Sequence, residues 1–201
     1  MIKFRPNLNT INIMLDQLTQ LVQQFGDDAV VKNSAIPNEH NEGVINETGN
    51  SIFSGLKKIV SEAGGEEKLA ALFQGNSIDN SNPVVQQLTQ QLSGNLGEKF
   101  GLNSDTSSNV AGSLIPKILN SLINKAKDPN DSSFQISDII NAISGNSDQA
   151  SGIMDTISKY GMQFGLDQNA DGKVDVADVL VVTKNKGGIA GFIGKLFGSK
   201  K

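Results

Sequence analysis

Apolar residues along the chain recur at intervals of three and four positions, which places them on one face of an α-helix. Every candidate strand is short. Glycines end the first helical segments, at Gly26, Gly64 and Gly75. The pattern therefore predicts a series of amphipathic helices. They cover residues 14–26, 51–65, 66–75, 83–96, 107–126, 136–144 and 151–165.

Two prolines mark positions inside this helical pattern. Asn82 followed by Pro83 predicts a helix start, because asparagine caps free backbone amides and proline tolerates the first helical position. Pro116 falls within the segment 107–126, where we expect a kink or a restart. The side chains predicted to face the core are Met14, Leu18, Leu21, Val22, Phe25, Ile52, Phe53, Leu56, Ile59, Val60, Val84, Val85, Leu88, Leu92, Leu96, Val110, Leu114, Ile115, Ile118, Leu119, Leu122 and Ile123.

The expected architecture is all-α, a multihelical bundle with one C-terminal EF-hand-like loop. Residues 1–13 are expected to form a flexible N-terminal extension, because the amphipathic pattern begins at Met14. Residues 14–145 form the predicted helical domain, and 146–201 a metal-binding segment that ends in an amphipathic helix.

Four segments carry a family resemblance: GDDAVVKNSAIPNEHNEGV, LAALFQG, AGSLIPKILNSLINK and DPNDSSFQISDIINAISG. On these segments the chain resembles the bacterial YidB-like family over residues 14–145. The resemblance implies an all-helical fold and brings no agreed biochemical activity. Some members of that family are similar to homeodomains in helix arrangement, so a DNA-binding module is an alternative by analogy.

Composition and charge narrow the function classes. The chain has no cysteine, which excludes disulfides and thiolate metal sites. Its formal net charge of −4 disfavours broad binding to a phosphate backbone. The sequence contains no run of about 18 apolar residues, so it predicts no membrane-spanning helix. The N-terminus interrupts its apolar residues with proline and asparagines, unlike a signal peptide, so the cytoplasm is the expected location.

The stretch DQNADGKVDVAD, residues 167–178, matches the ligand spacing of a calcium loop. A hard cation requires several oxygens converging from a short piece of backbone, and alternating ligands around a glycine turn supply them. Gly172 occupies the sixth position of the loop, and Val174 the eighth. The predicted ligands to Ca²⁺, or alternatively Mg²⁺, are Asp167, Asn169, Asp171, the carbonyl of Lys173, Asp175 and Asp178.

The alternative for this stretch is a solvated acidic turn, but four carboxylates within twelve residues repel one another and a turn needs only one or two. Asp178 departs from the usual glutamate at the last position, which lowers the expected affinity and blurs selectivity between Ca²⁺ and Mg²⁺. The loop resembles half of a dockerin. One strong copy is present, so cohesin-type partner binding is not carried over.

Because EF-hand loops usually occur in pairs, residues 128–138 are a candidate degenerate, metal-free partner. Asp128, Asn130 and Ser132 occupy its first, third and fifth positions, but the glycine is missing. If the loops pair, residues near Ile136 and Val174 are expected to form a very short strand ladder.

The C-terminal segment GGIAGFIGKLFGSKK, residues 187–201, combines glycines, large apolar groups and lysines. Segments of this kind lie on anionic membranes. The alternative, a terminal helix docked on the protein's own core, is favoured because Lys195 alone interrupts the segment. A membrane-peripheral role through 187–201 therefore stays open beside docking.

No combination of residues predicts catalysis. His40, the single histidine, lies between Glu39 and Glu42 and is expected to be a loop or helix-start residue rather than a ligand or base. Tyr160, the single tyrosine, lies where a helix is expected to bury its ring. The sequence thus favours a non-enzymatic, calcium-binding helical protein with a structural or protein-interaction role, and another protein as its partner.

Overall fold

The computed structural model describes residues 8–74, 78–128, 131, 133–144 and 149–156. Within these ranges the fold is all-α and contains no strand, as the pattern predicts. The helices are α1 (Leu8–Gly26), α2 (Asn41–Val60), α3 (Gly65–Gln74), α4 (Pro83–Phe100), α5 (Ser104–Lys127), α6 (Ile136–Ile143) and α7 (149–156).

Helix α1 begins at Leu8, earlier in the chain than Met14, the first residue of the predicted segment. It ends at Gly26 as predicted, and a single π-helical turn, Asp27–Val31, continues the chain. Val30 in this turn is fully buried, so the turn belongs to the core. The division of the chain at 13 and 145 stays a prediction.

Helix α2 is longer at its start than the predicted segment 51–65, because residues 41–50 are also helical. Those residues are largely polar, which hides the periodicity, yet Val44 and Ile45 are buried. The helix ends at Val60, and two glycines then reverse the chain. Gly64 has a φ of +73°, and a Cβ at Gly65 would lie 1.9 Å from the Ile59 carbonyl oxygen.

The predicted start of α4 is confirmed in detail. The Asn82 side-chain oxygen accepts hydrogen bonds from the backbone amides of Val84 and Val85, at 2.9 and 3.4 Å. Pro83 is the first helical residue, and Gly101 ends the helix with a φ of +65°. The five predicted inward side chains are all buried: Val84, Val85, Leu88, Leu92 and Leu96.

Helix α5 runs without a restart through Pro116 and extends beyond the predicted 107–126 at both ends. Asn103 caps it by accepting the Thr106 amide at 2.9 Å. The Asn120 side-chain amide donates to the Pro116 carbonyl at 2.9 Å and to the Ile78 carbonyl at 2.6 Å. This side chain therefore holds the segment before α4 against α5.

The helices bury one continuous apolar core, to which each of α1 to α7 contributes. Helix α4 packs on α5 and α2, and α1 packs on α2 and α5. The predicted inward faces of α2 and α5 are confirmed, while Phe25 of α1 is only partly buried. Among the described helices, none combines the length and the apolar character that crossing a membrane requires.

Candidate functional site

The predicted metal loop lies outside the described residues, as do the 187–201 segment and Tyr160. In the ranges that the structure describes, no three histidine, aspartate or glutamate side chains are grouped so as to hold a metal ion. The prediction of an ion site therefore rests on the sequence alone. The predicted ligands are Asp167, Asn169, Asp171, the carbonyl of Lys173, Asp175 and Asp178.

Helix α7 is the described element nearest to this loop in the chain, and it packs against the bundle. Ile153 is fully buried, and Ala150 and Met154 are partly buried against the core. Positions 150, 153 and 154 lie on one helical face. On α3, the Glu66 carboxylate lies so close to Gly152 that a Cβ there would be 2.9 Å from one of its oxygens.

The described part of the candidate partner loop, 128–138, is organised around Asp131. One of its carboxylate oxygens accepts hydrogen bonds from the backbone amide of Ser133, at 2.9 Å, and from the Ser133 hydroxyl. The other oxygen pairs with Lys125 Nζ at 2.9 Å. These contacts, led by the Ser133 hydroxyl, lower the pKa of Asp131 to about 2.

The same turn is tied to the bundle on both sides. The Gln17 side chain on α1 donates to the Ser133 carbonyl at 2.7 Å, and Phe134 is buried in the core. Ile136, which the pairing hypothesis places near a strand ladder, is the first residue of helix α6. The described residues of this turn, 131 and 133–135, are therefore held against α1, α5 and the core.

An open groove of about 620 Å³ lies between this turn, α1 and α5. Two acidic and two basic side chains line the groove, and among them Lys125 and Asp131 form an ion pair. The Asn120 side-chain amide in the lining donates hydrogen bonds to the Ile78 and Pro116 carbonyls. The groove therefore offers a mixed polar surface without a convergent set of titratable groups. Its lining residues are Phe25, Lys117, Asn120, Ser121, Asn124, Lys125, Asp128 and Asp131.

Helices α2 and α4 share a line of hydrogen bonds that the sequence pattern does not predict, here termed the α2–α4 polar seam. Four side chains on α4, spaced four residues apart, donate across the interface to acceptors on or just after α2. The sequence signal for these contacts is a polar residue at every fourth position of α4, because residues four apart lie on the same face of a helix. The donors are Gln87, Gln91, Asn95 and Lys99, and the acceptors are Glu62, Ser54, Ser51 and Glu47.

Glu47 is the buried centre of this seam, with 7% of its surface exposed. One carboxylate oxygen accepts from Asn95 Nδ2 at 2.8 Å and from Ser51 Oγ at 3.1 Å. The other oxygen lies 2.5 Å from Lys99 Nζ. At the far end of the seam, the hydrogen bond from Gln87 lowers the pKa of Glu62. The seam matches buried acceptors with donors and fixes the register of the two helices.

His40 takes the helix-start position that the sequence predicts. It directly precedes α2, and its ring centroid lies 5.7 Å from that of Phe100 at the end of α4. A Cβ at Gly43 would lie 2.6 Å from the Phe100 ring, so glycine is what allows the ring to approach. The histidine packs where the end of α4 meets the start of α2.

These features define a multihelical bundle protein. The chain belongs to DUF937, a family of bacterial proteins of unknown function, whose model matches residues 82–201. The match begins at Asn82, the cap of α4, and extends over the 167–178 loop. No curated protein and no solved structure matches the chain.

Proposed function

We propose that the chain is a non-enzymatic, calcium-binding helical protein with a structural or protein-interaction role. The single observation that carries the proposal is the ligand spacing of residues 167–178, where an oxygen-bearing group occupies each position that a calcium loop uses. This stretch lies inside the range that matches the family, 82–201. Family membership itself adds no activity, because the family's function is unknown.

The proposed mechanism is folding coupled to ion binding. Without an ion, the four aspartates of the loop repel one another. A divalent cation replaces that repulsion by attraction, so its binding free energy stabilises the conformation in which the ligands converge. Asp178 is one methylene shorter than the usual glutamate, so we expect moderate affinity and limited discrimination against Mg²⁺.

The remaining parts of the proposal concern chemistry and family. His40 packs beside Phe100 at a helix start, which suits a structural role better than proton transfer. The α2–α4 polar seam likewise uses its carboxylates for helix pairing.

A closer family assignment, to the YidB-like family over residues 14–145, is supported by the four segments that carry the resemblance. We propose another protein as the partner.

Calorimetric titration of the metal-stripped, full-length chain tests the proposal. We expect saturable heat with Ca²⁺ and a Kd between about 10⁻⁷ and 10⁻³ M, the range of regulatory and weaker calcium loops. Asp167→Ala and Asp171→Ala each remove a predicted ligand and should abolish that heat. Mg²⁺ should compete at higher concentration.

The matched control is Asp16→Ala, which removes an exposed carboxylate from α1, far from the loop in sequence. It should bind Ca²⁺ like the unaltered chain. Equal weak heats from the unaltered chain, the control and both loop variants would show that there is no specific site, and the proposal would fail.

A further inference from the structure

Lys99 and Glu47 form an ion pair whose two side chains differ in exposure. The Glu47 side chain on α2 is 8% exposed, whereas the Lys99 side chain on α4 is 55% exposed. The Lys99 ammonium lies 2.5 Å from one Glu47 carboxylate oxygen. The charge that compensates a buried carboxylate is therefore carried by a side chain that solvent reaches.

Among the described ion pairs, this one alone buries its carboxylate. The carboxylate side chains of the other four pairs are 23–87% exposed, so water solvates them when the lysine moves away. The remaining described contacts of the Glu47 carboxylate are neutral hydrogen bonds from Ser51 and Asn95. Loss of the Lys99 charge would leave an uncompensated buried carboxylate between α2 and α4, which destabilises their contact.

We propose that Lys99 is a modification site, and that acylation of its ε-amine by an acyl thioester weakens the pairing of α2 with α4. The ammonium first gives a proton to water, and the free amine then attacks the thioester carbonyl carbon. The C–N bond forms as the C–S bond breaks, and the second proton leaves with the thiol. The product is a neutral amide, which keeps one N–H donor but no positive charge.

Lys57 is the matched control for Lys99. Both side chains are exposed in the last turn of a helix, α2 for Lys57 and α4 for Lys99, where a positive charge interacts favourably with the helix dipole. Lys57 takes part in none of the described ion pairs. Acylation at either position removes the same dipole interaction, but only at Lys99 does it deprive a buried carboxylate of its cation.

Urea unfolding of full-length chains, with Nε-acetyllysine installed at position 99 or at position 57, tests the proposal. Acetylation of Lys99 should lower the folded-to-unfolded equilibrium constant about 10- to 150-fold, the effect of losing a hydrogen bond to a charged group. Acetylation of Lys57 should lower it less than about fivefold. Lys99→Gln should resemble the chain acetylated at Lys99, and Lys99→Arg, which keeps the charge, should resemble the unaltered chain.

Glu47→Gln removes the buried charge that Lys99 compensates. In that background, acetylation of Lys99 should change the equilibrium constant less than about fivefold, because only the dipole interaction is lost. If the acetylated chain does not fold, recovery of folding by Glu47→Gln would support the same conclusion, and failure to recover would overturn it. Equal effects of acetylation at Lys99 and Lys57, or equal effects with and without Glu47→Gln, would also overturn the proposal.

Treatment of the folded, unaltered chain with acetyl coenzyme A, followed by peptide mass spectrometry, tests whether the amine is accessible. Acetyl groups should be found at Lys99 as well as at Lys57. Acetylation of Lys57 without acetylation of Lys99, at saturating donor, would overturn the assignment of Lys99 as a modification site.

Discussion

Asp131 fixes the turn between α5 and α6 with both of its carboxylate oxygens. Its contacts to Ser133 and Lys125 favour the ionised form and lower its pKa from 3.8 to about 2. A pKa that is lower in the folded chain than in the unfolded chain stabilises the fold above the unfolded value. That stabilisation disappears as the pH falls toward the folded value.

We expect Asp131→Asn to destabilise the chain at neutral pH, because the variant lacks the charge that Lys125 pairs with. The difference in unfolding free energy between the unaltered chain and the variant should shrink between about pH 4 and pH 2. Urea unfolding across that pH range measures it, with Asp16→Asn as an exposed control. A difference that stays constant down to pH 2 would contradict this role for Asp131.

At the scale of the helices, local signals were sufficient for some elements and insufficient for others. The cap at Asn82 and the buried face of α4 follow from residues that are neighbours in sequence. The first half of α2 could not be predicted in this way, because its apolar residues are few and the buried Glu47 depends on donors from the distant α4. The α2–α4 polar seam joins residues that are 25 to 52 positions apart in the sequence, and no local pattern specifies such pairings.

The seam makes a prediction at the same scale. Asn95→Ala removes a hydrogen bond to the buried Glu47 carboxylate and one to the Ser51 hydroxyl. The carboxylate oxygen keeps the Ser51 hydroxyl as a donor. A hydrogen bond to a charged group contributes about 1.5–3 kcal/mol, so the free energy of unfolding should fall by about that amount. Gln90→Ala, an exposed amide on the same helix, should change it by less than about 0.5 kcal/mol.

Chemical denaturation of both variants measures these values. Equal stabilities for Asn95→Ala and Gln90→Ala would show that the seam contributes nothing to the pairing of α2 and α4. A double variant that also carries Glu47→Gln should be less destabilised than the sum of the single changes, because the two residues contact each other.

For the whole molecule, the sequence established the fold class but not which helices pair. Periodicity identifies the face that each helix buries, whereas the choice of α4 as the partner of both α2 and α5 depends on contacts between distant segments. The candidate ion site is the opposite case. Its predicted ligands lie within twelve consecutive residues, so their spacing can be recognised in the sequence without knowledge of the fold. These residues lie outside the described ranges, so the ion site stays a prediction.

The most direct test of ion-coupled folding is the thermal unfolding midpoint of the full-length chain as a function of Ca²⁺ concentration. Linkage predicts a stabilisation of about 2.7 kcal/mol when Ca²⁺ reaches about 100 times its Kd. For a chain of this size, that corresponds to a rise of roughly 5–10 °C, and Asp171→Ala should show none. The same midpoint in excess chelator and in saturating Ca²⁺ would contradict the account.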